Sequence, residues 1–443
     1  MANARELALN TLIDIIKDGA YSNRALNDQI EKNKLSDQDR NFMTELIYGT
    51  LRHYLLLDFY GAPYYKGRVK TWVKLLVTLT LYQILFLDGV PEHAAISEAV
   101  NIARRRGGEF NGKLVNAILR ELRRNPLRNV NEIENEQERL AIQTSHPVWL
   151  IRLWWKQFGE AQTVQMAHAN NERVLVSIRV NTLKTTRQKL KESLEAEGIQ
   201  CQEGNLSQDA LTIIKGNVVS TRGFKEGWFY IQDEASMLVA TALNPQLGAK
   251  VLDVCAAPGG KTTHIAQLMK QTGKVEAYDK YPHKIKLIEE NIQRLGLENI
   301  AVYQRDATQL ADHYPQESFD YILVDAPCSG LGILRRHPEV KLTKKPEDLD
   351  GVITVQKQLL KTVASLVKVG GRVVYSTCTV NRKENDKLIE QFLKDYPNFI
   401  LDETLRDRLA KPLQSKSKLG MIQLFPGEFG ADGFFIASLI RKG

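Results

Sequence analysis

The sequence predicts a multidomain chain: an all-α bundle over residues 1–140, a small α+β module over 141–233, and a doubly wound α/β domain over 234–443. Three observations carry this. The first 130 or so residues repeat apolar positions at helical spacing and contain no convincing strand. A strand–helix–strand pattern follows a polar, acidic break. From about residue 234, short apolar runs alternate with helical segments, the mark of a parallel sheet covered on both faces. At 443 residues the chain is long enough for two or three domains, and with 43% hydrophobic and 25% charged residues it is an ordinary globular composition.

In the first part, Leu7, Leu9, Leu12, Ile13 and Ile16 place one apolar face on a helix over 4–18. The same spacing predicts helices over 42–60 and 69–87, separated by Gly61-Ala62-Pro63, and over 94–105 and 113–124. The apolar stretch Trp72–Leu87 contains Lys74 and Gln83 and is too short to span a bilayer, so it reads as a buried helix. From Pro91 to Val130 eight Arg and Lys stand against four Glu, which suits either a solvated helical face or a surface for an RNA backbone.

Residues 129–140, with Glu132, Glu134, Glu136 and Glu138, read as a linker running into a helix. Residues 147–158 predict a helix whose bulky face (Trp149, Leu150, Leu153, Trp154) is core. The module continues with a strand at 174–180, a helix at 186–196 and a strand at 211–214. Gly227 to Asp233 leads out of it.

In the α/β part, strands are expected at 250–254, 274–278, 300–304, 320–324 and 371–376, with helices at 261–270, 282–295, 352–368 and 383–395. In such a sheet ligands sit at the carboxyl ends of the strands. Asp253, Asp279, Asp306 and Asp325 fall at or just after those ends, and Cys255, Cys328 and Cys378 share that edge. Val251–Thr263 reads as strand, glycine turn and helix start, with Pro258, Gly259 and Gly260 letting backbone approach a ligand. A Walker A loop is excluded, because the required earlier Gly is Cys255. Asp279, about 20 residues beyond the turn, suits the ribose of a nucleoside ligand, either a dinucleotide or S-adenosylmethionine.

No N-terminal stretch has a signal-peptide pattern and no segment suits a membrane span, so a cytoplasmic protein is expected. Sixty Lys and Arg against 52 Asp and Glu, a net +8, favour a polyanionic partner. The four cysteines form no C-x-x-C pair, which argues against zinc or a disulfide framework; no metal is expected. Cys201 lies outside every motif.

Asp325-Ala326-Pro327-Cys328-Ser329-Gly330 with Ser376-Thr377-Cys378-Thr379 resembles the two-cysteine signature of the RNA (cytosine-5)-methyltransferases. Ala256-Ala257-Pro258-Gly259-Gly260-Lys261-Thr262 resembles that family's S-adenosylmethionine loop, and Ala431-Asp432-Gly433-Phe434-Phe435 its terminal segment. The whole chain is similar to the ribosomal RNA small-subunit methyltransferase B branch, with Val90-Pro91 through Leu119 similar to its NusB-like helical domain. The departures are small: Thr379 follows Cys378 where Ser is expected, and Ala326 falls at a variable position.

The resemblance implies a Rossmann-like class I S-adenosylmethionine-dependent methyltransferase domain, preceded by a NusB-like bundle and an RRM-like module that hold flanking RNA. It implies that Cys378 is the nucleophile, that Cys328 assists release of the methylated RNA, that Asp325 contacts N3 of the cytosine, and that Lys261 lies near the base. It assigns the cofactor to Cys255, Ala256, Ala257, Pro258, Gly259, Gly260, Lys261, Asp279, Asp306 and Asp325, with Asp306 facing the adenine. Arg335 and Arg336 then fall where phosphate beside the target base is expected, and His337 before Pro338 reads as structural.

The chemistry agrees with this assignment. C5 of cytosine is a poor nucleophile until a thiolate adds at C6, a step that calls for cysteine. The expected activity is methylation of C5 of a cytidine in small-subunit (16S) ribosomal RNA by a monomer. The same reaction on transfer RNA and a non-enzymatic RNA-binding factor are the alternatives. A dehydrogenase is disfavoured, because the loop lacks G-x-G-x-x-G spacing and hydride transfer leaves two cleft cysteines without a role.

Overall fold

The computed structural model describes residues 3–20 and 22–443. The chain forms two compact units, one of residues up to Glu172 together with Leu334–Lys344, the other of Arg173–Ile333 and Lys345–Gly443.

The first unit is helical. Its main helices are Ala4–Asp18, Ser22–Asn33, Asp37–Gly61, Thr71–Phe86 and Glu92–Arg124, followed by the shorter Glu136–Gln143, Val148–Phe158 and Glu160–Ala169. Of the apolar face read from the sequence, Leu7, Leu9 and Leu12 are buried but Ile13 and Ile16 only half-buried; Ile15, outside that reading, is fully buried, as are Met43, Leu46, Ile47 and Leu51 of the same core. Thr71–Phe86 is buried along Val73, Leu75, Leu76, Val77 and Leu79, as its apolar run requires. Gly49 lets the helix Asp37–Gly61 approach it, because a Cβ there would fall 1.9 Å from the Tyr82 ring. Among the described residues no helix is long and apolar enough to cross a membrane. The two helices expected on either side of residues 106–112 form one run broken at Gly108 (φ 78°, ψ 178°), a backbone that glycine tolerates. The polar helix Ser22–Asn33 was not expected, because few of its residues face the core. Trp154 is fully buried, as core, and Trp149 is half-buried.

The second unit opens with a four-stranded antiparallel sheet, β1 (Val176–Val180), β2 (Gln200–Glu203), β3 (Ala210–Lys215) and β4 (Phe229–Ile231), in the order β2-β3-β1-β4. Helix Arg187–Ala196 covers it with Leu190 and Leu194, over Ile178, Val180, Leu211 and Phe229.

The main sheet follows: β5 (Lys250–Asp253), β6 (Lys274–Asp279), β7 (Ile300–Gln304), β8 (Phe319–Asp325), β9 (Val367–Thr377), β10 (Phe399–Leu401), β11 (Met421–Leu424) and β12 (Phe434–Arg441). Its order is β10-β12-β9-β8-β5-β6-β7, with β11 also on β12. β5 through β9 are parallel, as the alternation predicts, and β12 runs antiparallel to β9. This antiparallel flank is an addition to the expected parallel sheet. The order reverses at β5, between β8 and β6, which places the ligand crevice at its carboxyl end.

Candidate active site

Asp253, the last residue of β5, is fully buried and anchors the turn that follows. It accepts hydrogen bonds from Thr262 Oγ1 at 2.6 Å and from the Cys255 N–H at 3.3 Å. Burial pushes its carboxyl up to about 7, against the Thr262 hydrogen bond and with a further push from the Asp325 charge. The turn closes with the Gly259 N–H on Ala256 O at 2.7 Å, and Gly259 adopts φ +100°. At Gly260 a Cβ would meet the Tyr230 ring at 2.8 Å, so the helix Gly260–Leu268 starts hard against the small module.

That module also supplies Arg179, from β1. It is 1% exposed, and its guanidinium donates to Gln232 Oε1, to Gly260 O at 2.6 Å and to Thr263 Oγ1 at 3.0 Å. Burial draws its pKa down to about 9. A buried arginine pinned to the first turn of the loop helix is a support that sequence reasoning missed; a lone Arg in a strand gives no signal of burial.

Asp279 ends β6, largely buried, and accepts from the Ala257 N–H at 3.4 Å and the Tyr281 N–H at 3.2 Å. Asp306, just beyond β7, caps the turn Ala307–Asp312 through Thr308 and pairs with Lys280 at 2.9 Å. The Thr308 hydroxyl and the Lys280 ammonium hold its carboxyl below the ordinary range. The glycine turn, Asp279 and Asp306 thus line the carboxyl ends of three neighbouring strands. A tight backbone turn with a carboxylate one strand away fits a nucleoside-bearing cofactor such as S-adenosylmethionine.

On the other side of β5, β8 and β9 pair in parallel with Asp325 opposite Ser376. Asp325 accepts from Ser376 Oγ at 2.8 Å and pairs with Lys261 Nζ at 2.8 Å. Burial works against the Lys261 ammonium, but Asp325, with Cys378 and Asp253, outweighs it and raises its pKa. The turns after both strands bring Cys328 Sγ and Cys378 Sγ to 3.3 Å. The contact with Cys378 and burial together push the Cys328 thiol well up. Cys255 shares the edge, but among the described residues no hydrogen bond joins it to either thiol, and burial raises its pKa too. Cys201 lies on β2, in the small module.

The two cysteine turns are tied together. The Gly332 N–H donates to Cys378 O at 3.0 Å and the Gly433 N–H to Gly332 O at 2.8 Å. A Cβ on Gly332 would fall 2.1 Å from Gly433 O, so the tail segment before β12 closes directly on the site. Beneath them lies Glu384, fully buried, which accepts from the Ser329 N–H (2.9 Å), Ser329 Oγ (2.5 Å), Asn381 Nδ2 (3.0 Å) and Gln356 Nε2 (3.1 Å). Ser329 Oγ also meets Thr379 Oγ1 at 2.8 Å, and Gln356 Nε2 donates to Pro327 O at 2.9 Å. One carboxylate thereby fixes both turns. Asn381–Asp386 reads as a polar loop and helix start, so the sequence gives no sign that Glu384 is interior.

Arg335 and Arg336 belong to the stretch Leu334–Lys344, grouped with the helical unit; Arg335 is 5% exposed and Arg336 half-buried. His337 Nδ1 meets Glu339 Oε1 at 3.3 Å, which in turn accepts from the Ser22 N–H at 3.2 Å, a structural setting.

Comparison with known proteins bears on all of this chain. A family model described as 16S rRNA methyltransferase RsmB/F matches residues 240–440. The NusB family model matches residues 2–124, and that of the RsmF/B-like ferredoxin-like domain matches 146–220. A probable ribosomal RNA small subunit methyltransferase B of Bacillus subtilis (strain 168) is 43% identical, spanning 100% of this chain and 99% of its own. Ribosomal RNA small subunit methyltransferase B of Pseudomonas syringae pv. tomato is 33% identical over 99% of this chain and 97% of its own. Among solved structures, that of PH0851 is 27% identical with a TM-score of 0.84, covering 98% of this chain and 99% of its own. A methyltransferase homolog protein from Pyrococcus horikoshii, also 27% identical, has a TM-score of 0.60 over 70% of this chain and 100% of its own.

Proposed function

Because this chain belongs to the ribosomal RNA small subunit methyltransferase B family, we propose that it methylates C5 of a cytidine in small-subunit (16S) ribosomal RNA through a covalent bond between Cys378 and C6. The observation that carries this reading is the 3.3 Å approach of the Cys328 and Cys378 thiols beside the Lys261–Asp325 pair.

The two thiols take different roles. The Cys328 thiol, with its pKa pushed up, keeps its proton and donates toward Cys378. Cys378 is the sulfur that adds to the base, and the Lys261 ammonium, paired with Asp325, supplies positive charge at the same site. Addition at C6 forms the S–C bond and shifts the C5–C6 π electrons toward C5 and the ring. Asp325, held by Ser376 and Lys261, contacts N3, where a proton passed through its carboxyl offsets that charge and is given back when the double bond re-forms. S-adenosylmethionine, when bound, supplies the electrophilic methyl group. Cys255 to Lys261, Asp279, Asp306 and Asp325 are the residues that would hold it. A base then takes the C5 proton, the C5–C6 double bond re-forms, and Cys378 leaves as thiolate, a departure that Cys328 assists. Reaction requires the cytosine to be unstacked. Arg335 and Arg336 are the cations proposed for a phosphate beside it.

The test is incubation with deproteinised small-subunit rRNA and isotopically labelled S-adenosylmethionine, followed by nucleoside analysis of the digested RNA. Label in 5-methylcytidine supports the reading. Label in another nucleoside, or in transfer RNA alone, contradicts it.

A further inference from the structure

The second half of the helix Glu92–Arg124, beyond the break at Gly108, turns its core face inward through Val115, Ile118, Leu119 and Leu122. Its outer face carries Phe110, Lys113, Ala117, Arg120 and Arg124, all exposed. Their spacing of 3, 4, 3 and 4 residues puts them on one stripe, and the stretch from Phe110 to Arg120 runs about 15 Å. Phe110 is 76% exposed, more than any other large apolar side chain among the described residues. The break is built rather than loose: a Cβ on Gly107 would fall 2.9 Å from Trp72, whose ring also lies 5.7 Å from the Arg106 guanidinium. Several nearby cations are spoken for, Arg104 by Glu109, Arg105 by Glu6 and Arg124 by Glu121. Lys113 and Arg120 have no acidic partner among the described residues.

We propose that this stripe docks single-stranded RNA, with Phe110 stacking on an unpaired base and Lys113 and Arg120 taking backbone phosphates. An aromatic platform beside unneutralised cations is the arrangement that single-stranded nucleic acid selects. A protein-docking helix presents apolar anchors at these positions instead, and here only Phe110 is a large one. The stripe serves the ribosomal RNA reading given above and rests on it for the identity of the RNA, but its own chemistry is separate from the cysteine site.

The test uses the full chain, a fluorescein-labelled unstructured RNA oligonucleotide and small-subunit rRNA. The variants are Phe110→Ala, Lys113→Glu/Arg120→Glu, and a control of equal charge change, Lys361→Glu/Lys394→Glu. Phe110→Ala is expected to weaken oligonucleotide binding about tenfold. The Lys113→Glu/Arg120→Glu pair is expected to reduce the slope of log affinity against log salt by about 1.4, that is about 0.7 for each phosphate no longer neutralised. Both raise KM for rRNA and leave kcat at saturating RNA unchanged, and the control moves neither. Wild-type affinity, salt slope and KM in both stripe variants would overturn the proposal. So would a concentration-dependent dimer that Phe110→Ala abolishes while RNA binding stays intact. If the wild type methylates no ribosomal RNA yet its RNA binding depends on the stripe, the substrate reading fails and the docking face stands.

Discussion

Asp253 and Asp402 belong to two regions of the same unit, one at the carboxyl end of β5, the other just after β10 on the antiparallel flank. Both are buried, at 0% and 2% exposure, yet their carboxyls move in opposite directions. Asp253 meets only neutral donors, Thr262 and the Cys255 N–H, and burial pushes it up to about 7. Asp402 meets Arg372 at 3.0 Å and Arg408 at 2.7 Å, with Ser438 Oγ at 2.9 Å. Burial works against its charge as well, but the Thr404 and Arg408 hydrogen bonds and the arginine charge bring it down to about 2. Burial alone therefore does not decide whether a carboxylate is ionised; its company does. The flank is held by an ionic cluster linking β9, β10 and β12. In the site Asp253 and Glu384 rest on neutral hydrogen bonds, while Asp325 pairs with Lys261 and Asp306 with Lys280.

The largest effect is expected on the flank. Asp402→Ala leaves the half-buried Arg372 and Arg408 without their carboxylate and should destabilise the protein by about 3 kcal/mol in urea unfolding, with activity per folded molecule retained. In the wild type the Asp402 contribution is full above about pH 4 and is lost as pH falls through 2, since its folded pKa lies below the ordinary value.

Asp253 should show the reverse. Its folded pKa lies above the ordinary value, so its contribution is full below about pH 4 and is lost as pH rises through 7. Asp253→Asn keeps an acceptor for Thr262 and should remove that slope. Measured against the variant, the wild type should lose on the order of a few kcal/mol between pH 4 and 7. Identical pH profiles for the two would dissolve the contrast.

Glu384→Gln sharpens the comparison at the site itself. It keeps the shape but turns an NH2 toward groups that donate, at a cost of about 1–3 kcal/mol. Because Glu384 fixes the Cys328 and Cys378 turns, kcat should fall with KM for RNA little changed. A fall in stability with kcat intact would make it a purely structural group.

The parallel half of the sheet was legible because β5 to β9 are short apolar runs separated by glycine turns and amphipathic helices. The loop Cys255–Lys261 and both cysteine turns were legible because their side-chain types are unusual in that order. The rest was hidden for physical reasons. β2 is polar Gln-Cys-Gln-Glu, held as an edge strand by β3 rather than by its own pattern. β12 is strongly apolar, but nothing local says that it inserts antiparallel between β9 and β10. Glu384, Asp402 and Arg179 look solvent-facing in one dimension, because the partners that allow their burial come from remote segments.

The most direct test of the account is the trapping of the proposed Cys378–C6 bond. Cys328→Ala should be incubated with S-adenosylmethionine and deproteinised small-subunit rRNA, denatured, and mapped by peptide mass spectrometry. A denaturant-resistant protein–RNA adduct is expected on the peptide bearing Cys378, absent when Cys378→Ala is added to the variant. An adduct on another cysteine, or undiminished methyl transfer by Cys378→Ala alone, would contradict it.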